Sequence, residues 1–233
     1  MSNRLTELKE NYEAIQERIN KACQKAGRQA SEITLIAVTK TYPAIDVDLL
    51  QQLGIENVGE NKDQEASAKK LEVKEQFKWH FIGQLQSNKA KSVVNYADLI
   101  HSVDRISLVK ELQKSAASIN KQQEVLIQVD LDQGGPDPSR GGIWPAELLD
   151  LAGLISQSSH LQLMGLMSVA PLGEEPGPAF ERLSLIRADF LKFHPQAKIL
   201  SAGMSEDLEE AVLFGATHLR IGSALLGERP KIG

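Results

Sequence analysis

Apolar side chains recur at steps of three and four residues in the first part of the chain. This period places them on one stripe of an amphipathic helix that ends at Gly27. Cys23 lies on the apolar side of that helix, so we interpret it as a packing residue rather than a reactive thiol. The stripe consists of Leu5, Leu8, Tyr12, Ile15, Ile19 and Cys23.

Eight short runs rich in valine, isoleucine, leucine and phenylalanine follow, and segments with helical spacing separate them. Strands that alternate with helices indicate parallel βαβ units, because a parallel connection needs a long crossover. Eight such units predict a closed (β/α)8 barrel of the TIM type, a single α/β domain over residues 1–233 with an extra N-terminal helix. The runs are residues 33–38, 55–59, 78–82, 99–103, 125–130, 163–169, 198–201 and 218–221.

A doubly wound open sheet is the rival architecture for the same order of elements. Its usual fingerprint is a glycine-rich turn after the first strand. Residues 38–43 read Val-Thr-Lys-Thr-Tyr-Pro and contain no glycine, which favours the barrel. Loops at the carboxyl ends of barrel strands shape the active site. Two connections rich in glycine and proline, residues 132–145 and 171–178, are therefore candidate lids.

Composition narrows the range of partners. The chain has 233 residues, and 26 lysines plus arginines against 31 aspartates plus glutamates give a net charge of −5, which disfavours nucleic acid as a partner. A single cysteine excludes an internal disulfide and a CxxC metal cluster, so we expect no metal site. The sequence also lacks a membrane span and the apolar core of a secretory signal. We expect a cytoplasmic protein without a membrane partner.

Lys40 stands at the carboxyl end of the first predicted strand. An amine in a partly desolvated pocket there has a lowered pKa, which frees the neutral nucleophile for attack on a carbonyl. A lysine that extends to water from a strand end is the alternative interpretation. The remaining strand ends are also polar, which suggests that a ligand provides partners for some of them. They carry Asn61, His80 with Gly83, Ser102, Asp130, Met167 with Ser168, Ser201 with Gly203, and Arg220 with Gly222.

The last two units have the features of a phosphate site, which TIM-type barrels often form after strands seven and eight. Glycines there let the backbone approach an anion, and serines add hydroxyl donors. We expect residues 222–223 to be the principal anion cradle. Glu206 and Asp207 would repel a phosphate, so we expect both to face solvent. The glycines and serines concerned are Ser201, Gly203, Gly222 and Ser223.

A Schiff-base lysine opposite a phosphate cradle describes a small phosphorylated aldehyde, and pyridoxal 5'-phosphate (PLP) fits that description. Arg220, two residues before Gly222, would then lie near the ring nitrogen. A permanent cation at that position disfavours protonation of the pyridine, so the ring would be a weak electron sink. Chemistry that depends on a fully ring-stabilised carbanion becomes less favourable.

Seven motifs resemble those of the pyridoxal phosphate homeostasis proteins, also called the YggS/PROSC family. The motifs occur in the expected order and extend from residue 37 to residue 222, nearly the whole chain. They are AVTK at 37–40, VGEN at 58–61, WHFIG at 79–83, LQSNK at 85–89, GLMS at 165–168, SAGMS at 201–205 and RIG at 220–222.

The resemblance implies a single barrel of the alanine racemase N-terminal type that binds PLP covalently. Lys40 would form the Schiff base, and Arg220 would meet the pyridine nitrogen. The phosphate would be held by Ser201, Gly222 and Ser223, with Met204 and Ser205 nearby. The ring and the open face would be lined by Asn61, His80, Ser102, Met167 and Ser168.

The sequence departs from the family pattern at two places. Ala202 stands where the family often has methionine, and residues 134–142 replace a region that often carries Lys-Ser-Gly. Both departures concern ring packing and the lid rather than the cofactor itself.

Three functions compete on the sequence alone. The leading hypothesis is a non-catalytic PLP carrier in vitamin B6 homeostasis, with PLP-dependent apo-enzymes as candidate recipients. It is favoured because racemisation needs acid–base groups on two faces of the substrate, and Lys40 lacks an obvious partner. The second is a PLP-dependent amino-acid racemase that works weakly through Lys40 with either His80 or a loop residue. The third is a phosphosugar aldolase that uses Lys40 without a cofactor. We expect a monomer, because the barrel can bury the stripe of the first helix.

Overall fold

The computed structural model describes residues 3–132 and 141–227 of the chain. Its first element is helix α1, Asn3–Ala26. The apolar stripe of α1 packs against the helices that follow strands β7 and β8, so Leu8, Ile15, Ile19 and Cys23 are buried. The helix ends at Gly27, whose φ of +66° is a left-handed conformation that glycine adopts at little cost. The predicted amphipathic helix and the packing role of Cys23 are confirmed.

Eight parallel strands close into a barrel in which each strand pairs with its neighbours in sequence and β1 pairs with β8. The barrel predicted from the alternation of strands and helices is therefore confirmed. The strands are β1 Thr34–Val38, β2 Asn57–Glu60, β3 Lys78–Phe81, β4 Leu99–Val103, β5 Gln123–Gln128, β6 Leu161–Met167, β7 Ile199–Ser201 and β8 His218–Ile221.

Helices cover the outside of the barrel and bury one face of each strand against their apolar stripes. Short 3₁₀ turns at Ala30–Glu32, Ser87–Lys89 and Pro145–Glu147 precede β1, α4 and α6. After α1 the helices are α2 Ala44–Gln51, α3 Asp63–Glu72, α4 Ala90–Tyr96, α5 Ile106–Ser118, α6 Leu148–Ser156, α7 Pro176–Phe193, α8 Leu208–Leu213 and α9 Ser223–Leu226.

The barrel interior holds a small apolar cluster with the strand residues Leu99, Leu126 and Met167 at its centre. Alternate residues of a strand point to opposite faces, so His101 shares the inner face with Leu99. This interior is unusual because polar side chains accompany the apolar cluster. Buried interior polar residues include His80, His101, Ser201 and Arg220.

Helix α1 is also tied to the rest of the chain by polar contacts. Arg18 makes a two-point ion pair with Glu209, at 2.7 and 2.8 Å. Arg4 donates to Asp46 at 2.7 Å and to the carbonyl of Leu226 at 2.8 Å. Of the helices in the described part of the chain, none has the length and apolar content that crossing a bilayer requires.

Of the two predicted lids, residues 132–145 and 171–178, only the second lies wholly within the described residues. Residues 133–140 of the first lie outside the described residues. In the second, residues 171–178, Glu174 accepts two hydrogen bonds from Arg182 at 2.7 and 2.9 Å, and α7 begins at Pro176. That contact anchors the connection to α7, and its role as a lid stays a prediction.

Candidate functional site

A cavity of about 280 Å³ opens at the carboxyl ends of β1 and β8. It brings together six of the twelve site residues predicted from the sequence, which come from the ends of the first, seventh and eighth units. Those six are Lys40, Met204, Ser205, Arg220, Gly222 and Ser223. The remaining lining is formed by Val38, Ile82, Glu206 and Asp207.

Arg220, on β8, is a buried cation that lines this cavity. Its side chain donates to the hydroxyl of Ser201 at 2.8 Å and to the carbonyl of Ser168 at 2.9 Å, and both acceptors are neutral. Burial lowers the pKa of Arg220 to about 10, while the nearby charge of Asp207 opposes that shift. Among the described residues no ion pair involves Arg220. A buried cation without a carboxylate partner favours an acceptor ligand in the cavity it lines.

Lys40 follows β1, the strand that pairs with β8, and is half-buried in the lining of the same cavity. Its backbone neighbours are held on both sides. The carbonyl of Thr39 accepts a hydrogen bond from Lys69 Nζ at 2.7 Å, and the N–H of Thr41 donates to Glu65 Oε1. Thr41 has a φ of 72°, a left-handed conformation that is strained for a β-branched residue. The segment that carries Lys40 is therefore fixed by contacts with α3.

The groups that hold this segment form a charged cluster of Lys69 and Glu60, which are buried, and Glu65, which is half-buried. Lys69 Nζ lies 2.6 Å from Glu60 Oε1 and 2.9 Å from Glu65 Oε1. Glu60 also accepts from the hydroxyl of Thr39 at 2.7 Å. Burial raises the pKa of Glu60, and the Lys69 ammonium opposes that shift. Burial, with the nearby Asp63 and Glu60, also raises the pKa of Tyr96.

A second network crosses the barrel interior beneath Arg220. His80 Nε2 lies 3.0 Å from Asn57 Oδ1, and His80 Nδ1 lies 2.9 Å from His101 Nε2. His101 Nδ1 lies 2.9 Å from Ser201 Oγ, which accepts from Arg220. We call Asn57, His80, His101, Ser201 and Arg220 the histidine chain.

Both imidazoles of the histidine chain are neutral. Burial, with His218 and Lys78 as like charges, lowers the pKa of His80 to about 3. Burial, with His80, Arg220 and His218 around it, lowers the pKa of His101 well below its usual value. Such groups carry no charge at physiological pH, so they act as hydrogen-bond partners rather than as counter-ions.

The other predicted site residues lie away from the cavity lining. Ser168 and Ser201 are fully buried and reach the cavity only through Arg220. Met167 packs in the interior cluster, and Ser102 is buried with no hydrogen-bond partner for its hydroxyl in the described part of the chain. Asn61 is half-buried. A Cβ added to Gly83 would lie only 2.1 Å from the carbonyl oxygen of Asn61. Only glycine fits at residue 83.

The expectation that Glu206 and Asp207 face solvent is wrong for Asp207. Glu206 is exposed at the cavity, but Asp207 is buried and accepts from the N–H of Met204 at 2.5 Å. This hydrogen bond folds the segment before α8, which begins at residue 208. Gly203 is required in the same segment, because its φ is +91° and a Cβ would lie 2.5 Å from Ala211 Cβ. The carboxylate of Asp207 therefore lies inside the site, where it acts on Arg220.

Sequence reasoning missed His101 and the charged cluster. His101 had a detectable signal, since a histidine two residues after Leu99 shares the inner face of an otherwise apolar strand. Lys69 and Glu65 carry no such signal, because they occupy an ordinary helical i, i+4 pair that is usually solvated. Lys69 is buried only because α3 packs beside β2, where Lys69 meets Glu60.

A family model described as the N-terminal domain of alanine racemase matches residues 8–230 of the chain. The pyridoxal phosphate homeostasis protein of Mycobacterium leprae is 38% identical over 242 residues, which cover 97% of this chain and 94% of that protein.

Solved structures agree with this match. PipY of Synechococcus elongatus, solved with PLP bound, has a TM-score of 0.79 and 35% identity, and the match covers 91% of this chain and 100% of PipY. An alanine racemase of Clostridium difficile 630 has a TM-score of 0.74 at 14% identity, over 97% of this chain and 58% of the racemase. The racemase likeness shows a shared fold alone.

Proposed function

The chain belongs to the pyridoxal phosphate homeostasis family, and from that premise we propose that it binds PLP and holds it for the intracellular supply of vitamin B6. PLP is bound in a solved relative, PipY. The protein acts in this proposal as a carrier without catalytic turnover.

One observation supports the proposal above the others: Lys40 and the buried Arg220 line the same cavity. The residues present fit PLP by their donor chemistry. A lysine amine suits the aldehyde, and a cation without a carboxylate partner suits the ring nitrogen acceptor. Hydroxyls of Ser205 and Ser223 and the backbone at Gly222 suit the phosphate.

When bound, PLP supplies an aldehyde that condenses with a lysine amine and releases water. Lys40 Nζ provides that amine, and the contacts of Thr39 and Thr41 with α3 orient its backbone. Arg220 would hold the ring nitrogen of bound PLP and disfavour its protonation, because a proton there would meet a fixed positive charge. Asp207 moderates the charge of Arg220 from the same wall of the cavity.

The absence of catalytic turnover is supported by the hydrogen bonds that His80 already makes within the protein. Both its ring nitrogens are hydrogen-bonded, to Asn57 and His101, and it does not line the cavity. Its pKa of about 3 also leaves it a poor proton donor near neutral pH. The acid–base role that a racemase would require of His80 is therefore not favoured.

The proposal includes a cytoplasmic monomer that passes PLP to apo-enzymes. The cytoplasmic location is supported by the single cysteine, which is buried. The monomer is supported by the burial of the α1 stripe within its own chain.

The test is reduction of the PLP-loaded protein with borohydride, followed by peptide mass mapping. The added mass is expected on Lys40 and is expected to disappear in Lys40→Ala. Lys62→Ala removes an exposed lysine from the nearby β2–α3 connection and serves as the matched control. Modification of another lysine, or a protein that stays colourless with PLP, contradicts the assignment. Loss of optical activity of amino acids above the Lys40→Ala background would favour the racemase instead.

A further inference from the structure

The histidine chain has one direction of hydrogen bonding in which every donor and acceptor is used. Arg220 donates to Ser201 Oγ, and the Ser201 hydroxyl then donates to His101 Nδ1. His101 Nε2–H donates to His80 Nδ1, and His80 Nε2–H donates to Asn57 Oδ1. Each neutral imidazole has one donor and one acceptor nitrogen, so this assignment satisfies both rings.

The reverse direction leaves a buried donor unpaired. If His101 Nδ1–H donated to Ser201, the serine oxygen would accept twice, since Arg220 can only donate. The Ser201 hydroxyl proton would then lack its only acceptor in the chain, although Ser201 is fully buried. An unsatisfied buried donor costs about 1–3 kcal/mol, which favours the first direction.

We propose that His101 and His80 are positioning residues, fixed as neutral Nε2–H tautomers, that hold Arg220 through Ser201 against the ring nitrogen of PLP. The inference rests on the proposed function for the identity of the ring, and on the geometry of this chain for the tautomers.

Two histidines suit this position because the groups beneath Arg220 must provide hydrogen-bond partners without adding charge. The groups that face His80 are Lys78, His218 and His101, and those that face His101 are His80, Arg220 and His218. Lys78 and Arg220 are cations, and none of these groups is a carboxylate that would stabilise a second proton on either imidazole. The geometry therefore keeps the Ser201 oxygen available to Arg220 across the physiological range of pH.

The histidine chain extends from Arg220, near the carboxyl ends of the strands, to Asn57, at their amino ends. Asn57 lines a second cavity of about 280 Å³ at the amino ends of the strands, with Tyr12, Gln16 and Glu56. The amide of Asn57 fixes the His80 tautomer, because its oxygen accepts and cannot donate. Asn57→Asp should keep the acceptor, whereas Asn57→Leu should release His80.

The first test needs no cofactor. Nitrogen-15 NMR of histidine-labelled protein without PLP is expected to show His80 and His101 as neutral Nε2–H tautomers between pH 8 and pH 5. His101→Asn and His80→Asn assign the signals. A His101 signal that titrates in this range, or that belongs to the Nδ1–H tautomer, overturns the proposal.

The second test compares His101→Leu with His101→Asn in the PLP-loaded protein. Asparagine keeps an acceptor near the position of Nδ1, and leucine removes it. We expect His101→Leu to weaken PLP retention about tenfold, because the Ser201 hydroxyl that accepts from Arg220 loses its own acceptor. Its visible absorption band should also become dependent on pH, because a loosened Arg220 permits ring protonation. His101→Asn should restore both properties towards the wild type.

The control is His160→Gln, because His160 does not belong to the histidine chain, and this variant should behave as wild type. If His101→Leu retains PLP with an unchanged, pH-independent band, the positioning role is wrong and the proposed function stands. If the wild type fails to bind PLP, the proposed function is wrong, and the NMR tautomers still decide the direction of the chain.

Discussion

Two buried polar networks flank the cavity, and they solve different problems. The charged cluster, Lys69 with Glu60 and Glu65, holds the backbone on both sides of Lys40. The histidine chain holds the side chain of Arg220 through neutral donors and acceptors only.

The difference follows from what each network supports. A network beside Lys40 can be charged, because it acts on backbone atoms that keep their position whatever the amine does. A network beneath Arg220 contacts the functional cation itself, so any charge there would either neutralise the guanidinium or repel it. Charged side chains therefore fix the backbone around Lys40, and uncharged hydrogen-bonding groups fix the guanidinium of Arg220.

The largest expected effect breaks the charged cluster. Lys69→Met leaves Glu60 and Glu65 without their cation, and removal of one partner of a buried ion pair costs about 3–5 kcal/mol. Denaturant unfolding should show a loss of that size, whereas Lys62→Met, an exposed lysine just before α3, should change stability by less than about 0.5 kcal/mol. Adding Glu60→Gln to Lys69→Met should recover part of the loss. A Lys69→Met variant as stable as the wild type would show that the cluster does not hold this region.

The next effect separates the two networks by the sign of their pH dependence. The pKa values of His80 and His101 are lowered on folding, so the stability they contribute is present above pH 6.5 and is lost as pH falls towards the folded value. On going from pH 7 to pH 5, one such histidine costs about 2 kcal/mol. The raised pKa of Glu60 acts in the opposite sense, because its protonated form is favoured in the folded state.

Urea unfolding at several pH values between 7 and 5 measures this difference. His101→Asn should flatten the loss of stability below pH 6.5, since it removes one titrating site from the histidine chain. Glu60→Gln should steepen the loss, since it removes the group that gains stability as pH falls. Equal slopes in the wild type and both variants would mean that neither network titrates as its burial implies.

Sequence reasoning predicted the barrel well, because each strand and helix has a local period. All eight strands were predicted within two residues at every end, and the helical stripe of α1 was predicted from spacing alone. The cavity residues were predicted where they lie at the carboxyl ends of strands, as for Lys40 after β1 and Arg220 near the end of β8. These positions share a rule, which is that the carboxyl ends of parallel strands converge.

Residues that act through another side chain could not be predicted in the same way. His80 and Ser201 were assigned to the ring and phosphate; they lie outside the cavity lining and belong to the histidine chain, so those assignments stay predictions. Strand alternation gives the face of a residue but not its depth along the barrel axis relative to a ligand. Asp207 was misplaced for a related reason, because its hydrogen bond to Met204 depends on a loop conformation that Gly203 alone makes possible.

The smallest effect concerns the strained backbone of Thr41, which the charged cluster holds beside Lys40. It tests whether this strain affects PLP binding by Lys40. Thr41 has a φ of 72°, and outside that segment Asn120 at the end of α5 has a φ of 50°. Glycine relieves about 1–2 kcal/mol of left-handed strain at Thr41 but costs about 0.5–1 kcal/mol in chain entropy, so Thr41→Gly should change stability little.

Thr41→Gly should nevertheless weaken PLP binding, because a glycine beside Lys40 lets the amine sample more orientations before it meets the aldehyde. We expect a loss of about threefold in affinity, which corresponds to about 0.7 kcal/mol. Asn120→Gly is the matched control, since it makes the same exchange at a left-handed residue on the exposed end of a helix. Titration of both variants with PLP should therefore distinguish them, although their unfolding curves nearly coincide. If both bind PLP as the wild type does, the backbone beside Lys40 is strained without consequence for the amine.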